Sequence, residues 1–156
     1  MKSLKVLAGA ALLLAAMASC NNNEKPATTE TPTPEPAPKT ETAVLTKDQK
    51  MEKGKEVFTR ICQACHQADG KGVEGAFPPL ANSDYLAADL KRAMHGAANG
   101  LSGEITVNGK KFNSAMPRPN PDLTDEELAS VFTYVLNSFG NAGGEVSVEE
   151  AHAARQ

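Results

Sequence analysis

Apolar positions recur at helical spacing in three stretches of the 156-residue chain. In the first, Met51, Gly54, Val57, Phe58, Ile61 and Cys62 fall on one helical face. Thr46 and Gln49 form a capping box that starts this helix at Lys47. The second stripe, Leu86, Leu90, Ala93 and Met94, predicts a helix from Asp84 to His95 with Gly96 as its stop. The third has Leu128, Val131, Phe132, Val135, Leu136 and Phe139 on its buried face. Thr124 caps it, Glu127 closes the box, Leu123 staples onto Leu128, and Gly140 ends it. Between the last two helices lies EITVNGKKF, in which Asn108-Gly109 between β-formers predicts a hairpin. From Gln67 to Asn82 no period is visible. A connection of that length inside a compact domain is functional, or wraps something that is not protein. The expected fold class is all-α with one small β-hairpin.

Upstream of Thr46 the pattern changes twice. Lys2 and Lys5 precede an apolar run from Val6 to Ala16, too short to span a bilayer, and the segment reads as an export signal over residues 1–19. Its end, MASC, resembles the lipobox of bacterial lipoproteins with Met17 in the place of leucine, which implies cleavage before Cys20 and acylation of its thiol. The other reading is cleavage after Ala18, which leaves Cys20 as an unpaired thiol in an oxidising compartment. Residues 20–45 hold five of the ten prolines and little that can be buried. They read as a disordered tether, able at ~3.1 Å per residue to reach up to ~75 Å. The expected folded domain is residues 46–156, with a C-terminal extension.

Composition sharpens this picture. The chain has no Trp, two Tyr and five Phe, a thin aromatic supply for a core. Lys plus Arg is 16 against 19 for Asp plus Glu, a formal charge of −3, which gives no support to nucleic-acid binding. The first helix ends in CQACH, Cys62 to His66. Residues i, i+3 and i+4 share one helical face, so both thiols and the imidazole point the same way. This pentapeptide is the signature of covalent c-type haem attachment, two thioethers followed by an axial histidine. A dithiol redox pair would want a βαβ context, a structural zinc would want four ligands, and a plain disulfide would leave His66 without a role.

With these residues in view, the chain resembles the class I cytochromes c over residues 46 to about 142. GKEVFTRICQACH (Gly54 to His66), FPPL (Phe77 to Leu80), Met116 followed by Pro117, and a final helix with Tyr134 carry the resemblance. It implies a class I fold wrapped around one haem bound through Cys62 and Cys65. Gly54 would let the first and last helices cross closely near Phe132 and Tyr134. Pro78 would accept a hydrogen bond from His66, and Leu80 would pack on the haem face. Met116, in the proline-stiffened loop FNSAMPRPNP, would be the sixth iron ligand; His95 and an open position remain the alternatives, while Met94 reads as a packing residue and Met51, which precedes CQACH on the same helix, cannot cross the haem plane. GAFPPLANSDYL, GLSGEITVNGKKF and LTDEELASVFTYVLNSFGN are similar to cytochrome domains fused to copper nitrite reductases, and to small cytochromes serving haem–copper oxidases. The implied function is a periplasmic, lipid-anchored one-electron carrier rather than an enzyme, donating to a nitrite reductase or terminal oxidase. A ligand-binding or sensing haem with a labile sixth position is the alternative, and a peroxidase-type haem ranks last. Lys110, Lys111 and Arg118 would either border the haem edge or stand as solvated cations.

Overall fold

The computed structural model describes residues 44–156. The expected signal peptide, Cys20 and nearly all of the tether lie outside the described residues. Helix α1 (Lys47–Val57) begins at Thr46, whose hydroxyl accepts from Gln49 N–H while the Gln49 side chain accepts from Thr46 N–H. The helix does not stop at Val57. It widens through a π-helical segment, Phe58–Cys62, in which Gln63 N–H bonds the Phe58 carbonyl, and continues as α2 (Gln63–His66). Single π turns inside α-helices concentrate at functional sites, and this one leads directly into CQACH.

The predicted second helix is two helices, α3 (Asp84–Ala88) and α4 (Leu90–Asn99). Asp89 divides them: it takes an extended backbone, and its carboxylate caps α4 by accepting from Arg92 N–H at 2.9 Å. Gly96 is not the stop. It is buried inside α4 against Leu101, and the helix ends instead at Gly100. The hairpin forms as predicted, β1 (Ile105–Val107) pairing with β2 (Lys110–Phe112) and Ile105 opposite Phe112. Asn108 and Gly109 both have positive φ, 51° and 74°, as a two-residue hairpin turn requires. Helix α5 (Asp125–Leu136) has the predicted capping box at Thr124 and Glu127. It ends four residues before Gly140, where the Asn137 side chain donates to the Thr133 and Gly144 carbonyls.

A last helix, α6 (Val148–Ala154), was not predicted, although Ser147 and Glu150 form a capping box. It packs on α5 and α4, with Ala151 and Ala154 fully buried. The core runs through Val57 and Phe58 of the first helix, Leu86, Met94, and the buried face of α5, and extends to Val146. Phe58, Tyr134 and Phe139 add a three-ring cluster with centroids 5.2–5.7 Å apart. One core residue contradicts the polar pattern. Lys50 is 4% exposed, and its ammonium bonds Glu145 at 2.7 Å and the Val146 carbonyl at 2.9 Å. Helices α1 and α5 make the most extensive helix contact.

Candidate cofactor site

Residues 67–82 form no helix or strand, as predicted, but they are held firmly. Gly72 N–H bonds the His66 carbonyl, Val73 pairs with Phe77, and Leu80 N–H bonds the Gly70 carbonyl at 2.7 Å. The Asn141 side chain joins this loop to α5 by donating to the Leu80 and Val135 carbonyls. Fixed in this way, the Pro78 carbonyl lies 3.0 Å from His66 Nδ1. A carbonyl only accepts, so Nδ1 carries the proton and Nε2 is left with a free lone pair. Burial holds the His66 imidazole below its ordinary range, and the bond to Pro78 works against that.

Around this histidine opens an apolar cavity enclosing about 840 Å³, part of it open to solvent. Its lining includes Ile61, Cys62, His66, Pro78, Leu80, Met116, Val131 and Phe132. Cys65 is half-buried beside the cavity rather than in its lining. Both thiols are free. Burial, with Cys65 adding to it, pushes the Cys62 thiol up to about 11, so it stays protonated at neutral pH. Met116 reaches the lining from the other segment. Its backbone pairs with Leu101 in both directions at 2.8 Å, an isolated antiparallel bridge that holds the methionine in place.

The structure separates the other candidates. His95 is exposed, outside the cavity lining, and its Nδ1 donates to the Ala154 carbonyl at 3.0 Å, on α6. Met94 is a core residue, 3% exposed, and Met51 is half-buried on α1. The close crossing at Gly54 falls against Ser130 and Tyr134, while Phe132, expected there, lines the cavity. Lys110, Lys111 and Arg118 each pair with a carboxylate, Glu74, Glu104 and Asp122 respectively.

The donor set narrows the chemistry. Among the described residues no cluster of three or more His, Cys, Asp or Glu side chains is placed to hold a metal ion, so zinc lacks its ligands. A dithiol redox centre would not need a large apolar cavity beside it. A flat apolar macrocycle does, and Cys62, Cys65 and His66, in the spacing of a c-type haem signature, are the residues that would hold it. The fold and site thus define a carrier of covalently bound c-type haem. The family model "Cytochrome c" matches residues 51–139, and the chain belongs to that family as a class I, mono-haem member with haem c as its cofactor.

Its relatives include cytochrome c-552 of Thermus thermophilus, 39% identical over 85 residues that cover 52% of this chain and 64% of the relative. The cytochrome c subunit of the quinone alcohol dehydrogenase of Gluconobacter oxydans (strain 621H) is 32% identical over 116 residues, 73% of this chain and 24% of the relative. The cbb3-type cytochrome c oxidase subunit CcoP of Rubrivivax gelatinosus is 32% identical over 106 residues, 67% of this chain and 32% of the relative. The chain spans less than two thirds of the length of each of these. The family is one of electron carriers.

Proposed function

We propose that this chain is a periplasmic one-electron carrier with His66 and Met116 as axial ligands. The observation that carries the reading is that His66 and Met116 both line one apolar cavity from separate segments, His66 held through its ring by the Pro78 carbonyl and Met116 by its backbone bridge to Leu101. Cys62 and Cys65 form the thioethers. Pro78 holds His66 in the tautomer that leaves Nε2 free to ligate and raises its basicity. Leu80 and Phe132 keep water from the ring. When bound, the haem iron supplies an Fe(III)/Fe(II) couple, and thioether donation raises its potential. With both axial positions filled by protein, no site is left for substrate, which is why a carrier is favoured over an enzyme or sensor.

The partner we propose is a terminal oxidase or a copper nitrite reductase. Relatives that are cytochrome subunits of a dehydrogenase and an oxidase support a redox protein in this role. The acyl anchor on Cys20, with the residues up to 45 as tether, would hold the domain at the periplasmic face of a membrane. Mass analysis of the mature chain tests this: an N-terminal acylated Cys20 is expected, and an unmodified thiol there refutes the anchor.

Met116→Ala tests the ligation. The parent, when reduced, is expected to resist carbon monoxide, and in the ferric state to show the weak methionine–iron charge-transfer band. The variant is expected to bind carbon monoxide readily, lose the band and fall in potential, with the fold weakened by only about 1–3 kcal/mol. A parent that lacks the band, or a variant with unchanged spectrum and potential, overturns His/Met ligation.

A further inference from the structure

The cytochrome c match ends at residue 139, yet the chain continues into an ordered segment that packs on α4 and α5. Helix α6 and the two residues after it touch both ends of the stretch that carries Met116. At one end, His95 donates to the Ala154 carbonyl and Asn99 donates to the Arg155 carbonyl at 3.2 Å. Asn99 is followed by Gly100 and Leu101, and Leu101 is the residue paired with Met116. At the other end, the Arg155 guanidinium donates to the Leu123 carbonyl and to Asp125, which also accepts from His152 at 2.8 Å. Leu123 is buried and lines the cavity.

From this geometry we propose that residues 147–156 are a clasp for the axial-methionine loop, and that Arg155 is its positioning residue. The proposal rests on Met116 being the sixth ligand. A thioether is a weak, neutral donor, so the time it spends on the iron depends on how little its loop can move. Residues 102–122 hold only a two-stranded hairpin and little core of their own, with Val107 and Phe112 the buried apolar side chains among them. Asn108 fastens the hairpin tip to Asp84 and to the Ala81 carbonyl, so the run around Met116, from Phe112 to Leu123, depends on its bridge to Leu101 and on where the ends of the stretch are fastened. Arg155, 20% exposed at its side chain, joins a backbone carbonyl at the loop's exit to a carboxylate on α5. Charge-assisted bonds of this kind are about twice as strong as neutral ones.

Arg155→Gln in the full-length holoprotein removes the fork and keeps a polar side chain. Lys50→Gln serves as a control, because it weakens the hold on Glu145 and Val146 at α1 without touching the loop. Two measurements are taken: binding of imidazole to the ferric protein, and hydrogen exchange of the Met116 amide, which is bonded to the Leu101 carbonyl. In Arg155→Gln, imidazole is expected to bind roughly tenfold more tightly than to the parent, and the Met116 amide to exchange roughly tenfold faster. Lys50→Gln is expected to change neither, even at an equal loss of melting temperature. Unchanged exchange in Arg155→Gln overturns the clasp. Faster exchange with unchanged imidazole binding also overturns the proposal, by showing that Met116 is not what closes the sixth position.

Discussion

A methyl group at position 54 would lie 2.1 Å from the Ser130 carbonyl oxygen and 2.7 Å from Tyr134 Cβ. Neither neighbour is the free end of a flexible side chain, so only a shift of α1 against α5 would make room. Gly54→Ala is expected to cost about 2–3 kcal/mol by overpacking, seen as a lower midpoint in guanidinium unfolding with the slope unchanged. A midpoint equal to the parent's would show that α1 and α5 part at this crossing at little cost. Gly100 carries a similar burden at the cavity. Its φ is +86°, and a Cβ there would stand 3.0 Å from both the Met116 carbonyl oxygen and Arg118 N. The residue that ends α4 thus also lets the methionine strand lie alongside.

Helix α5 shows what an element owes to its ends. Its box satisfies two otherwise orphaned N–H groups, Glu127 N–H on the Thr124 hydroxyl and Thr124 N–H on the Glu127 carboxylate. The Thr124 N–H holds the Glu127 carboxyl below its usual range; burial opposes this, and the Arg60 guanidinium adds to the lowering. A carboxyl whose folded pKa lies below its unfolded value contributes stability that is fully present above the unfolded value. That contribution is lost as pH falls through the folded one. Glu127→Gln keeps an accepting oxygen in the box but cannot titrate. Its urea stability is therefore expected to drop less between pH 7 and pH 3 than the parent's, at a cost of a few tenths of a kcal/mol at pH 7. Equal drops would assign the acid sensitivity to other carboxylates, with Asp125 the first to try, since it too is held low despite its burial, by His152 and Arg155.

For the molecule as a whole, much of the apolar surface faces the cavity rather than other side chains. Ile61, Leu80, Val131, Phe132 and Val135 all line it, and without a filling group they lose their contacts on that side. The group that fills this cavity would therefore complete the core, which fits a chain without Trp and with few aromatic side chains. Cys62→Ser with Cys65→Ser is expected to abolish covalent haem and to remove most of the roughly 5–15 kcal/mol typical of a small domain. Calorimetry would then show no cooperative transition. A haem-free double variant that still melts cooperatively would mean that the protein core suffices. Among the described residues no helix is long and apolar enough to cross a membrane.

What the sequence by itself determined is what neighbours along the chain decide. The capping boxes at Thr46 and Thr124 span four residues, the Asn108-Gly109 turn two, and CQACH five; each works through local geometry, and each was legible. The capping box at Ser147 and Glu150 was equally local, but the short apolar stripe behind it, Val148, Ala151 and Ala154, gave little hydrophobic period to read. The tertiary structure decided the rest, because burial is set by partners distant in sequence. Lys50 reads as a surface lysine until Glu145 and Val146 come to it from 95 and 96 residues away. Asp89 reads as the interior of one long helix, although its carboxylate does better as the cap of a second. His95 reads as a free helix end and a possible ligand, and only α6 shows where its proton is spent. Met116 reads as a methionine in a stiff loop; that Leu101 holds it, across 15 residues of chain, follows from a backbone bridge that no side-chain pattern encodes.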